Sequence, residues 1–220
     1  MSAQPPSSVE HECARRYDQE HARVCLQRHP RGLVQRFLQW RGKRLVRRAL
    51  KVAGEPGLIL DVACGAGGNW PVLAEHTNRV ILATDPSQEM LDHAQTHHPA
   101  ELLKRVKTFQ SSAFTIGLPE NSVDCIFCMP LFQHIENSED RLAMLREFHR
   151  VSRDALIVSV QRDGYFKLRA RFGEDAQAHQ LATKAELEAE FRQAGFKTLK
   201  YLDTLPGSDL PRVYVLHKAD

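Results

Sequence analysis

Residues 58–85 read LILDVACGAGGNWPVLAEHTNRVILATD, and this stretch decides the fold. An apolar run, Leu58-Ile59-Leu60, ends on Asp61 and gives way to a small-residue turn, Ala63-Cys64-Gly65-Ala66-Gly67-Gly68. A helical segment is expected from about Asn69 to His76, followed by a second apolar run, Val80 to Ala83, that ends on Thr84-Asp85. Strand, glycine turn, helix, strand and acid make one βαβ unit of the kind that receives a nucleotide-like ligand. Glycines let the backbone approach a ligand closely, and the helix start offers unpaired N–H groups. The acid after the second strand can accept hydrogen bonds from both ribose hydroxyls.

Two cofactor classes use this arrangement. The turn nearly fits the dinucleotide pattern G-x-G-x-x-G, and also D-x-G-x-G-x-G, with Ala63 standing for a glycine in both. Asp61 separates them. At the strand end, its charge would repel a pyrophosphate, whereas beside an ammonium and a sulfonium it is favourable. L-D-V-A-C-G-A-G, with Asp85 in register, resembles the first motif of the class I S-adenosylmethionine-dependent methyltransferases (methyltransferase type 11-like). The resemblance implies an α/β fold: a doubly wound, seven-stranded, mostly parallel Rossmann-like sheet with an N-terminal helical extension. It also implies S-adenosyl-L-methionine as cofactor.

The chain has 220 residues, enough for one such domain, with residues 1–52 as helical extension or lid and 53–220 as the cofactor-binding domain. Its 42% hydrophobic and 26% charged content is globular rather than disordered. No apolar run approaches the about 20 residues of a membrane helix, and residues 1–12 lack a secretory pattern, so a cytoplasmic location is expected. The five cysteines suggest no disulfide framework. Cys125 and Cys128 have metal-like spacing but fall on a predicted strand, where residues three apart face opposite sides. With no HExxH-like cluster among eleven histidines, no metal is expected.

Upstream, helices are expected from about Glu12 to His29 and from Leu33 to Val52, the second with an apolar stripe of Leu33, Phe37, Trp40, Leu45, Val46 and Leu50. No acidic residue occurs between Glu20 and Glu55, while Arg36, Arg41, Lys43, Arg44, Arg47, Arg48 and Lys51 do. With a net charge of only +3, the basic segment is a real asymmetry. It is either a solvated face or a contact for an anionic partner: phosphorylated substrate, membrane surface, protein, or nucleic acid, for which no recognition module is visible. By the resemblance, a residue of these helices covers the cofactor, with Tyr17, Arg41 and Arg44 as candidates.

Downstream, the resemblance assigns Asp61, Ala63, Cys64, Gly65, Gly67, Asp85 and Pro86 to cofactor binding. Ser112 stands where relatives carry an aspartate that faces the adenine amine; its hydroxyl can still accept, and the Ala113 N–H can donate to the ring. Met129 and Pro130, after the fourth strand, would border the methionine part. His134 is the candidate general base, or a residue that only hydrogen-bonds locally. Ser138 is expected to cap a helix to Val151, whose buried face is Leu142, Leu145, Phe148 and Val151. Residues 161–183 are basic and aromatic, either a substrate cover using Tyr165 and Arg169 or a packed amphipathic helix. Thr183 to Glu186 is a capping box, and Ala194-Gly195-Phe196 matches a family motif before a terminal hairpin.

These readings imply a methyltransferase for an anionic small-molecule or glycan- or lipid-linked acceptor. A methyltransferase-like regulatory subunit is the alternative, and a nicotinamide-dependent oxidoreductase is the third possibility.

Overall fold

The computed structural model describes residues 33–129, 131–135, 137–160, 182–203 and 211–218. Side chains of residues 33–35, 38, 133, 134, 198 and 199 are outside that description. Seven strands form one sheet in the order β3-β2-β1-β4-β5-β7-β6. They are β1 (Leu58–Val62), β2 (Val80–Asp85), β3 (Val106–Gln110), β4 (Val123–Cys128), β5 (Ser152–Val160), β6 (Phe196–Asp203) and β7 (Arg212–Lys218). The first five strands pair parallel, and β7 runs antiparallel to both β5 and β6. The expected sheet and its terminal hairpin are both present.

The helices are α1 (Leu33–Val52), α2 (Trp70–Leu73), α3 (Gln88–His97), α4 (Ala100–Leu103), α5 (Ser138–Val151) and α6 (Lys184–Gln193), with a 3₁₀ turn at Leu131–His134. Strand alternation divides the core into two layers. Ile59, Cys125, Phe127 and Ile157 pack with Leu45, Ala49, Trp70 and Ala94 from α1, α2 and α3 on one face. Leu60, Val62, Cys128 and Val158 pack with Leu145, Phe148 and Phe191 from α5 and α6 on the other. Cys125 and Cys128 thus lie on opposite faces, as their spacing on a strand requires. Burial pushes both thiols up, so they act as small apolar residues.

Three local expectations are corrected. The helix expected to reach His76 is the single turn of α2. Its exit is held instead by two arginines: Arg79 Nη1 donates to the Leu73 carbonyl (2.9 Å) and Arg105 Nη1 to the Ala74 carbonyl (2.7 Å). Side-chain donors replace the next helical turn. At α5 the cap is Asn137, which accepts from the Glu139 N–H at 2.9 Å, and Ser138 is the first helical residue. On that helix Arg141 and Met144 are buried, while Leu142 is only half-buried.

The third correction concerns α1. Among its described side chains the buried ones begin at Leu45, whereas Phe37 and Trp40 are each 51% exposed. Helix α1 meets the sheet at β6 and β7. At about 100° per residue Phe37 and Trp40 fall on the side of α1 opposite Leu45, Val46, Ala49 and Leu50, so they lie in solvent rather than continue the buried stripe. The capping box at α6 is present as read: Thr183 Oγ1 accepts from the Glu186 N–H, and Glu186 accepts from the Thr183 N–H.

Candidate active site

Strand β1 lies between β2 and β4, so connections leave its carboxyl end in opposite directions and open a crevice there. The turn after β1 fills the floor of that crevice. Ala63, Gly65 and Gly67 have φ of 55°, 53° and 71°, a left-handed residue at every second position. Only glycine adopts this without cost, so Ala63 is held in strain by its surroundings. At Gly67 the requirement is also steric, since a Cβ there would lie 2.5 Å from the Trp70 ring.

Two buried carboxylates bracket the turn. Asp85, 1% exposed at the end of β2, accepts from the Gly65 N–H through Oδ2 (2.8 Å) and from the Ser87 N–H through Oδ1 (3.0 Å). It joins the glycine turn to the start of α3, where Ser87 caps by accepting from the Met90 N–H. The Cys64 N–H donates to the Thr84 carbonyl at 3.1 Å and completes the link between β2 and the turn.

Asp61 is equally buried. Its Oδ2 accepts from the Trp70 indole N–H at 3.1 Å, and its Oδ1 has no hydrogen-bond partner among the described residues. Burial raises its carboxyl well above the usual carboxylate range; the indole hydrogen bond opposes that rise and the charge of Asp85 adds to it. Such an oxygen is costly unless a ligand supplies a donor or a positive charge. The same burial and the two acids push the Cys64 thiol up, so it is no nucleophile.

Trp70 and His98 are not among the residues singled out from the sequence. Trp70 is wholly buried, and His98 lies beside it with ring centroids 5.0 Å apart. His98 Nε2–H donates to the Ala66 carbonyl at 2.9 Å, tying the exit of α3 to the turn. The visible signal for Trp70 is its place at the helix start, two residues after Gly68 and before Pro71.

The other candidates are distributed as follows. Pro86 and Ser112 are half-buried beside the end of β2, and the Ser112 hydroxyl accepts from the Phe114 N–H at 3.1 Å. Ala113 is buried. Met129 is half-buried at the exit of β4 and packs on the α1–α3 core layer. His134 occupies the last place of the 3₁₀ turn, with only its backbone described. Arg44 is exposed on α1 with its guanidinium 5.6 Å over the Trp40 ring. Tyr17, Pro130, Tyr165 and Arg169 lie outside the described residues.

Beyond the 3₁₀ turn a buried ion pair holds the chain. Arg141 of α5 donates to Glu190 of α6 from Nε (2.9 Å) and Nη2 (2.6 Å), and from Nη1 to the Ile135 carbonyl (3.0 Å). Glu190 also accepts from the Ser138 hydroxyl at 2.6 Å.

A doubly wound sheet with a glycine turn and two buried acids at its switch point is the arrangement in which open α/β sheets receive a ligand. Comparison with known proteins narrows that class. Residues 59–155 match the family model described as a methyltransferase domain. The tRNA U34 carboxymethyltransferase of Shewanella sediminis (strain HAW-EB3) is 27% identical over 161 residues, covering 66% of this chain and 45% of that protein. The chain thus matches less than half the length of that curated relative. Among solved structures, magnesium protoporphyrin IX methyltransferase from Synechocystis PCC 6803 with bound SAM has a TM-score of 0.70 at 15% identity, covering 99% of this chain and all of that one. An Aquifex aeolicus SAM-dependent methyltransferase has a TM-score of 0.59 at 21% identity, covering 74% of this chain and 82% of that one. Residues 59–155 thus match a methyltransferase domain, and the fold is the one that solved class I S-adenosylmethionine-dependent methyltransferases have. The cofactor of that family is S-adenosylmethionine. Among the described residues no helix is long and apolar enough to cross a membrane.

Proposed function

We infer that this chain is an active S-adenosylmethionine-dependent methyltransferase for an anionic small-molecule or glycan- or lipid-linked acceptor. The observation that carries the reading is the unpartnered Oδ1 of buried Asp61 beside a turn with left-handed residues at alternate positions. The residues present fit the cofactor. Asp61 offers a negative charge to its ammonium and sulfonium groups. Asp85, at the end of β2, would accept from the ribose hydroxyls. Gly65 and Gly67 leave the floor without side chains, and the Ala113 N–H and Ser112 hydroxyl border the adenine side.

S-adenosylmethionine, when bound, supplies a methyl already activated by the positive sulfonium. The chain's task is then to orient and desolvate. Met129 and Pro130 would border the methionine end, and His134 would take a proton from the acceptor hydroxyl or amine near neutral pH. An anionic acceptor is supported by the basic character of residues 33–52 and 161–171. A nucleic-acid acceptor is the second reading, favoured by the tRNA substrate in the name of the Shewanella relative.

The test is transfer of labelled methyl from S-adenosylmethionine into fractionated small-molecule, lipid-linked and RNA pools. Label in an anionic fraction, lost with Asp85→Ala and reduced at unchanged cofactor affinity with His134→Ala, is the expected result. Cofactor binding without label in any pool would favour the regulatory-subunit reading instead.

A further inference from the structure

Helix α1 carries a second surface, opposite the one it packs on the sheet. Taking about 100° per residue, Leu45, Val46, Ala49 and Leu50 occupy the arc toward the sheet, and every one of them is buried. Arg36, Phe37, Trp40, Arg41, Arg44 and Arg48 fall within about 140° of the opposite arc. The Phe37 and Trp40 rings stack with centroids 6.0 Å apart and an interplanar angle of 29°. Arg41 lies 5.7 Å over the first ring and Arg44 5.6 Å over the second. Arg36, Arg44, Arg48 and Lys51 form no described salt bridge, whereas Arg47 is spent on Glu75 (2.6 and 2.7 Å) and Lys43 lies near the same carboxylate.

The arrangement selects its occupant. A helix that lies in a membrane interface separates its apolar and cationic faces, so that aromatics enter the lipid and charges stay in water. Here guanidinium groups and rings alternate on the same face, and inserting the rings would drag the charges into hydrocarbon. An acidic protein surface would meet the charges but leave two stacked rings without planar partners. A single-stranded polynucleotide meets both: phosphates pair with the cations, and unpaired bases stack on the rings. We propose that the outer face of α1, centred on Phe37 and Trp40, is a docking surface for single-stranded nucleic acid. It draws on the same basic segment as the anionic-acceptor reading, and RNA binding is measured apart from methyl transfer.

The experiment is fluorescence anisotropy of the full chain with a labelled mixed-sequence single-stranded RNA of about 20 nucleotides. Vesicles of neutral lipid with an anionic fraction form the parallel arm. Wild-type protein should bind the RNA and weaken about tenfold to a hundredfold between about 50 and about 200 mM salt. Phe37→Ala with Trp40→Ala should lower RNA affinity by about tenfold or more, since each stacked base contributes substantially. Both rings are half-exposed, so the melting temperature and S-adenosylmethionine affinity of that variant should match wild type. RNA affinity unchanged in the double variant would overturn the proposal, as would vesicle binding in the absence of RNA binding. Loss of cofactor affinity in wild-type protein would count against the methyltransferase reading alone.

Discussion

The Trp70 indole N–H donates to Asp61 Oδ2 at 3.1 Å and leaves Oδ1 as the oxygen of that carboxylate without a described protein partner. Residues nine apart thereby divide one buried acid into a held half and a half available to a ligand. The hydrogen bond favours the ionised form against the burial that disfavours it. Trp70→Phe keeps an aromatic ring but removes the donor. It should cost about 1–3 kcal/mol of stability through the smaller ring. It should also move the acid-side fall of S-adenosylmethionine affinity to higher pH. An unchanged pH profile of affinity, read by calorimetry, would show that Trp70 only packs.

Asp61→Asn separates stability from binding. A carboxyl whose pKa is raised on folding binds its proton more tightly in the folded chain. Its contribution to stability therefore falls as pH rises from the ordinary carboxylate range through the raised value. An asparagine side chain does not titrate and lacks that slope, so the variant should melt at or above the wild-type temperature near neutral pH while losing most cofactor affinity. A variant that melts lower at every pH and retains affinity would remove Asp61 from the site.

The turn offers a paired test. Ala63 has φ of 55°, so Ala63→Gly should be neutral or stabilising by up to about 1 kcal/mol, strain relief being offset by greater unfolded-state entropy. Gly67→Ala should destabilise by about 1–3 kcal/mol or more, because its Cβ meets the wholly buried Trp70 ring. Chemical denaturation of both variants measures the contrast.

Arg141 and Glu190 hold the segment after β4 from behind. Removing one partner of a buried pair leaves an uncompensated charge, so Glu190→Gln should destabilise by about 3–5 kcal/mol. Release of the Ile135 carbonyl should disturb the 3₁₀ turn, so the acceptor KM should rise more than the cofactor Kd changes. Equal changes in both would assign the pair a purely structural role.

Local grammar is legible in the sequence; distance is not. The βαβ unit, the Ser87 cap and the Thr183 box depend on residues within a few positions of one another, and they form where read. The cap of α5 differs by one position because Asn137 and Ser138 are both good capping residues. Phe37 and Trp40 read as part of the α1 stripe, yet at about 100° per residue they lie opposite its buried residues, so a helical projection of the sequence already separates them. Arg141 and Glu190, 49 positions apart, carry no common sequence signal. Trp70 is visible as a buried-type residue, yet its bond to Asp61 depends on how the turn folds back.

The most direct measurement is calorimetric titration of the purified full chain with S-adenosylmethionine, S-adenosylhomocysteine and NADH. The structure predicts micromolar binding of the first two, abolished by Asp85→Ala, and no binding of NADH. Tight NADH binding with neither sulfur compound bound would contradict the assignment of the cofactor site.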